Sequence, residues 1–129
     1  MVIDTSAVLA ILQDEPERPR FTVAIAEAAR RSMSAATLLE VAIVIEARHG
    51  IEGGRHLDLL LERAGVDIVA VDEEQVRIAR EAYRRFGKGR HPAGLNYGDC
   101  FSYALAHVRQ QRLLFKGGDF ARTDVVSAI

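Results

Sequence analysis

Short apolar runs alternate along this chain with stretches of helical period. Residues 1–4 read as a very short strand ending in Asp4. Thr5 and Ser6 offer hydroxyl caps for a helix carrying Ala7, Val8, Ala10, Ile11 and Leu12, which Asp14-Glu15-Pro16 ends. Residues 18–31 predict a second, weaker, alanine-rich helix, and Ser32-Met33-Ser34 a small strand or turn. The most apolar helix covers 35–48. Its apolar positions run round the cylinder, so burial on most sides is expected, and His49-Gly50 reads as its stop. A helix over 52–64 follows, with Leu57, Leu60, Leu61 and Ala64 on one face.

The second half repeats the alternation. Residues 66–71 predict a strand, and Asp72 with Gln75 looks like a capping box for a helix bearing Val76, Ala79, Ala82, Tyr83 and Phe86. A glycine-rich loop spans 87–98. A helix runs from about 98 to 111, Leu113-Leu114-Phe115 predicts a buried strand, and Val125-Val126 a last short one. Strands separated by helices imply an α/β fold: one domain over 1–129, with a short, mostly parallel central sheet and helices on both faces. In such folds the site lies beyond the carboxyl ends of the strands. Asp4 stands at one such end, and Asp119 closely follows another.

Composition narrows the class. The 129 residues are 49% hydrophobic and 27% charged, enough for one core and unlike a disordered chain. No apolar run approaches the roughly 20 residues of a membrane helix, so no membrane association is expected. A lone cysteine, Cys100, and a start without a basic leader suggest a reducing, cytoplasmic setting. Four scattered histidines and one cysteine argue against structural zinc. The net charge of −1 says little about partners.

Acids in unexpected places say more. Glu40 stands alone in Ala35–Ile45, where every neighbour except Thr37 is apolar. A buried, unpaired carboxylate is costly, so it needs an arginine, a route to water or a cation. Singly, Asp4 reads as a helix cap, Asp99 as a helix-dipole acid, Asp119 as a turn residue and Asp124 as a cap for the last element. Together they set several carboxylates at element ends along one edge of one sheet, where their repulsion calls for a cation. Oxygen donors alone favour Mg²⁺, with Mn²⁺ as a substitute, and such a centre suits phosphate chemistry. Arg84, Arg85, Lys88 and Arg90 lie in eight residues without an acid, shortly before Asn96 and Asp99, and Lys116 precedes Asp119 by three. That basic approach suggests an RNA-like polyanion, or else a solvated loop. Tyr97 reads as a base-stacking or a packing residue.

Four segments in order resemble the PIN-domain ribonucleases, and more closely the VapC toxins of bacterial type II toxin–antitoxin pairs: Val2-Ile3-Asp4-Thr5-Ser6-Ala7, Thr37-Leu38-Leu39-Glu40, Leu95-Asn96-Tyr97-Gly98-Asp99-Cys100 and Leu113–Phe120. Thr123-Asp124 also looks typical. The resemblance implies a metal-dependent endoribonuclease with Asp4, Glu40, Asp99 and Asp119 at the metal. Ser6 or Thr5 would orient a ligand or water, and Asn96 would support the loop. Whether Asp119 or Asp124 is the fourth acid stays open. The resemblance further implies a VapB-type antitoxin, a tRNA or rRNA substrate and a homodimer. Two rivals compete. One is a haloacid-dehalogenase-like phosphatase with Asp4 as nucleophile, against which stand Ser6, where that family usually has a second Asp, and a Glu40 without a role. The other is a non-catalytic partner-binding domain, for which Asp72 and Lys116 are superficially receiver-like.

Overall fold

The computed structural model describes residues 1–129. Its elements run β1 (Val2–Ile3), α1 (Thr5–Leu12), α2 (Arg18–Glu27), β2 (Ser32–Ser34), α3 (Ala35–Arg63), β3 (Asp67–Val69), α4 (Glu73–Phe86), α5 (Tyr97–Arg109) and β4 (Leu113–Leu114), then a 3-10 turn at Phe120–Arg122. The four strands form one sheet in the order β3-β2-β1-β4, and every pairing is parallel. The α/β expectation is therefore met.

Strand alternation divides the core in two. Ile3, Met33 and Leu114 join Ile11, Phe21, Ile45 and Leu57 in a cluster with α1–α3. Val2 and Leu113 point the other way, into a cluster with Ala82, Phe86, Tyr103 and Leu105 of α4 and α5. Helices thus cover both faces. Each fully buried Leu, Ile or Phe stabilises the fold by about 1.5–3 kcal/mol relative to its exposed state.

The helices expected over 35–48 and 52–64 follow one another within α3 and are separated, as expected, at Gly50, whose backbone is non-helical (φ 65°, ψ −162°) and suited to glycine. Several other expectations are corrected. The first of these two helices is not buried on most sides: Leu39 and Ile43 are 62% and 59% exposed. The second helix ends at Glu27, where Ala28 turns extended. The strand over 66–71 shrinks to Asp67–Val69. In place of a strand at Val125-Val126 there is a single bridge between Leu113 and Ser127. No helix is long and apolar enough to cross a membrane.

This topology fixes the address of the acids. β1 is flanked by β2 and β4. Asp4 ends β1, α3 leaves β2 directly and brings Glu40 one turn on, and the loop after β4 carries Asp119. Parallel strands put these three ends at the same edge.

Candidate active site

Asp4 is 3% exposed, and both of its carboxylate oxygens are engaged. Ser6 donates to Oδ2 from its amide (3.0 Å) and from Oγ (2.6 Å). Ser102 donates to Oδ1 at 2.6 Å, and Thr37 Oγ1 lies 3.2 Å from Ser102 Oγ. With Ser102 donating to the acid, Thr37 completes a buried hydroxyl chain from α3 through α5 to β1. The N-cap role foreseen for Asp4 is real, since its side chain caps α1.

Glu40 turns toward the same corner. Thr5 Oγ1 donates to its Oε1 at 2.5 Å. Its Oε2 lies so close to Gly98 that a Cβ there would stand 1.9 Å away. Gly98 opens α5 one residue before Asp99, so the Glu40 carboxylate sits between the starts of α1 and α5. Asp99 is held by a reciprocal capping box. Asn96 N–H donates to Asp99 Oδ2, and Asp99 N–H donates to Asn96 Oδ1, both at 2.9 Å. Burial raises the Asp99 carboxyl from 3.8 to about 6 against the lowering effect of the Asn96 amide, and the nearby charges of Asp4, Asp119 and Glu40 add to the rise. Asp119 is exposed, and its side chain does not cap the turn that follows.

None of these four acids takes part in an ion pair. They form an uncompensated anionic corner whose donors are all oxygen, the kind that suits a hard divalent cation. As the side chains stand, no three His, Cys, Asp or Glu groups converge closely enough to hold an ion.

The PIN-domain family model matches residues 1–126. The chain belongs to the PIN-domain family. Its curated relatives place it with the VapC ribonucleases. It is 60% identical over 127 residues to ribonuclease VapC30 of Mycobacterium tuberculosis, covering 98% of this chain and 97% of that one. It is 62% identical to a ribonuclease VapC of Mycolicibacterium smegmatis, covering 98% of both. Among solved structures it resembles M. tuberculosis VapC20, a sarcin–ricin loop cleaving toxin, with TM-score 0.79 at 17% identity over 97% of this chain and 95% of that one.

The other foreseen residues of this PIN domain divide. Thr5 and Ser6 stand at the site as described, and the amide of Lys116 donates to Ser6 Oγ at 2.9 Å, tying the loop before Asp119 to Asp4. Asp124 leaves the acidic corner: its carboxylate accepts from Tyr103 Oη (2.7 Å) and Arg85 (3.4 Å). Arg85 is thereby paired, and it also lies over the Phe86 ring. Lys116 Nζ is held by Glu15 and by Glu17, so it is not a free cation. Arg84, Lys88 and Arg90 make no ion pair and border one groove with Asn96 and Tyr97. Asp72 caps α4, accepting from the Gln75 amide at 2.9 Å, next to the edge strand β3. That removes the receiver-like reading of Asp72.

Sequence reasoning missed Ser102, Thr37 and Gly98. Ser102 had a signal, since it lies three residues after Asp99 and so one helical turn along the same face. Gly98 had none, because its role depends on where Glu40 arrives from a distant helix.

Proposed function

We propose that the chain is a Mg²⁺-dependent endoribonuclease, the toxin of a type II pair, restrained by a VapB-type antitoxin and acting on tRNA or rRNA. The observation that carries this reading is the raised Asp99 carboxyl, part-buried among Asp4, Glu40 and Asp119 with no basic side chain paired to any of them. The oxygen-only donor set fits Mg²⁺ or Mn²⁺. Asp4, Asp99, Glu40 and Asp119 would hold the ion with the hydroxyl bonds to Asp4 and Glu40 kept, since each carboxylate offers about four lone-pair sites. When bound, the ion would make water a stronger acid near neutral pH and offset charge on the leaving oxygen.

The chain's own groups have distinct tasks. Ser6 and Ser102 fix the Asp4 carboxylate from both sides. The Asn96 box aims Asp99. Glu40, steadied by Thr5, orients the attacking water toward phosphorus and draws on its proton. A new P–O bond forms from water and the P–O3′ bond breaks. The products are a 5′-phosphate and a 3′-hydroxyl.

The likeness to VapC ribonucleases over nearly the whole chain supports the reaction class. Structural neighbours solved as toxin–antitoxin complexes support the antitoxin. The test is RNA cleavage by the purified chain with Mg²⁺ or with EDTA. Cleavage with Mg²⁺ that vanishes in EDTA, in Asp99→Asn and on adding the antitoxin is expected. Equal cleavage in EDTA, or full cleavage by Asp99→Asn, would overturn the metal site.

A further inference from the structure

The segment between β4 and the buried Phe120 has little of its own to hold it. Lys116, Gly117 and Gly118 make no backbone-to-backbone hydrogen bond. Gly117 sits at φ 100°, and a side chain on either glycine would meet nothing within 4 Å. Two adjacent glycines leave such a tether wide conformational freedom. Its far side is pinned by Phe120, whose ring packs on Phe115 at 5.3 Å between centroids. On the near side, every hydrogen bond of residues 116–118 belongs to Lys116. Asp119 stands between these two anchors.

Lys116 reaches both ends of α1. Its amide donates to Ser6 Oγ in the first turn at 2.9 Å. Its ammonium donates to Glu15 and lies 3.2 Å from Glu17, just beyond the last turn. These two acids flank Pro16, whose ring fixes φ, and the Glu15 amide bonds back to the Ala10 carbonyl at 2.9 Å. The carboxylates are therefore carried on a stiff turn. Glu17 Oε2 is buried and accepts no hydrogen bond, and the Lys116 ammonium is the cation paired with it. Two carboxylates around one ammonium leave the trio with a net negative charge, a poor partner for phosphate. A grip on RNA does not explain this arrangement.

The amide contact has a consequence at Asp4. The Ser6 hydroxyl has one hydrogen, and Asp4 Oδ2 accepts it at 2.6 Å. A hydroxyl turns freely unless its lone pairs are engaged. By donating to Ser6 Oγ, the Lys116 amide occupies a lone pair and leaves that hydrogen aimed at Asp4. One residue thus sets a donor on Asp4 and begins the tether to Asp119.

We infer that Lys116 is a positioning residue for the acidic corner: clasped by Glu15 and Glu17, it sets the Ser6 hydroxyl on Asp4 and fixes the loop that carries Asp119. It acts through Ser6 and Asp119 and touches neither substrate nor reacting atoms. Groups that orient metal-holding carboxylates act on metal affinity and rate although they hold no metal themselves. This rests on the nuclease reading above and adds to it a tie from the turn between α1 and α2 to two acids of the site.

The test reads the loop with and without chemistry. In EDTA, amide hydrogen exchange is followed by NMR on the full chain. The Lys116 amide should exchange about tenfold faster in Lys116→Met and in Glu15→Gln/Glu17→Gln, while the amides of α5 keep the parent's rates. Exposed ion pairs add little to global stability, so both variants should melt within a few degrees of the parent. In RNA cleavage both should raise the Mg²⁺ concentration for half-maximal rate about tenfold, with KM for RNA within twofold of the parent. The triple variant should be no worse than either, because the same clasp is broken in all three. Lys116→Arg, which keeps the charge, should recover most of the loss. Unchanged amide exchange, or an unchanged Mg²⁺ requirement in both variants, overturns the assignment. So does a KM that rises in Lys116→Met and falls in Glu15→Gln/Glu17→Gln, the pattern of a lysine that grips RNA once its acids are neutralised. A parent that cleaves no RNA, with the exchange result as expected, would instead strike the nuclease reading and leave the clasp standing.

Discussion

Glu40 occupies the space that a side chain on Gly98 would need. A Cβ on Gly98 would stand 1.9 Å from Glu40 Oε2 and 2.7 Å from its Cδ. The obstacle is the far end of a flexible side chain, so the collision is relieved by moving the carboxylate. Position 98 lies inside α5 with helical backbone, where alanine is intrinsically favoured over glycine by about 1 kcal/mol. Gly98→Ala should therefore fold, with a melting temperature within a few degrees of the parent. It should lose at least tenfold in RNA cleavage, because Glu40 is pushed off its Thr5 bond. Melting curves and cleavage rates measured side by side check this; a fully active Gly98→Ala would mean that Glu40 does not act from its present place.

The raised Asp99 carboxyl gives a pH dependence of definite sign. Its pKa is 3.8 in the unfolded reference and about 6 in the fold. Between those values the folded chain holds a proton that the unfolded chain has released, so stability falls as pH rises from about 4 to 6 and then levels. The full shift would correspond to about 3 kcal/mol, and partial exposure reduces it to roughly 1 kcal/mol. Without divalent ions, Asp99→Asn should be more stable than the parent at pH 7 by about that roughly 1 kcal/mol, and no more stable at pH 3.5. A divalent ion needs the ionised carboxylate, so Mg²⁺ should bind more weakly below pH 6 and release protons on binding there. Urea titrations across pH, with and without Mg²⁺, read out both effects.

Much of the acidic corner is legible because Asp4, Asp99 and Asp119 stand at element ends and Glu40 breaks an apolar run inside a helix. Asp4 interrupts an apolar strand, Glu40 interrupts an apolar helix, and Asp99 and Asp119 follow glycines. A parallel sheet then gathers strand ends without further information, and the order β3-β2-β1-β4 brings together the ends of β1, β2 and β4. Partnership was not legible. Asp124, Arg85 and Lys116 looked available as sequence, yet each is engaged by a group distant along the chain. Hydrophobic pattern also overstated burial: Leu39 and Ile43 are as apolar as Val41 and Ile45, but face away from the neighbouring elements. Gly50 reads as a stop, and its non-helical backbone at positive φ does separate two helices there.

Ser102 joins the support of Asp4 to the same helix that carries Asp99. Its hydroxyl is fully buried, donates to Asp4 Oδ1 and is approached by Thr37. Ser102→Ala would remove the donor to one oxygen and strip Thr37 of its acceptor, leaving buried polar atoms without partners. That should cost about 1–3 kcal/mol of stability. It should also raise the Mg²⁺ concentration for half-maximal cleavage several-fold, because Asp4 loses one of its two anchors. Ser102→Thr keeps the hydroxyl but adds a methyl to a packed site, so it should recover metal dependence better than stability. Chemical denaturation and Mg²⁺ titration of cleavage resolve the two contributions.

Asp119 and Asp124 are five residues apart and have opposite surroundings. Asp119 adds to the charge felt by Asp99, and its side chain caps nothing. Asp124 accepts from Tyr103, which is 2% exposed, and its charge together with burial pushes the Tyr103 hydroxyl well above its usual range. The two alanine substitutions should therefore split cleanly. Asp124→Ala deprives a mostly buried hydroxyl of its acceptor and should cost about 1–2 kcal/mol, while cleavage by the folded protein stays within twofold. Asp119→Ala removes an exposed carboxylate, so stability should change by less than about 0.5 kcal/mol. Cleavage should fall at least tenfold, and the Asp99 carboxyl should move back toward 3.8 as one repelling charge disappears. Following the Asp99 carboxyl by NMR titration in both variants ties the kinetic result to its electrostatic cause. A drop in activity for Asp124→Ala beyond its loss of folded protein would put the fourth acid on the wrong side of the turn.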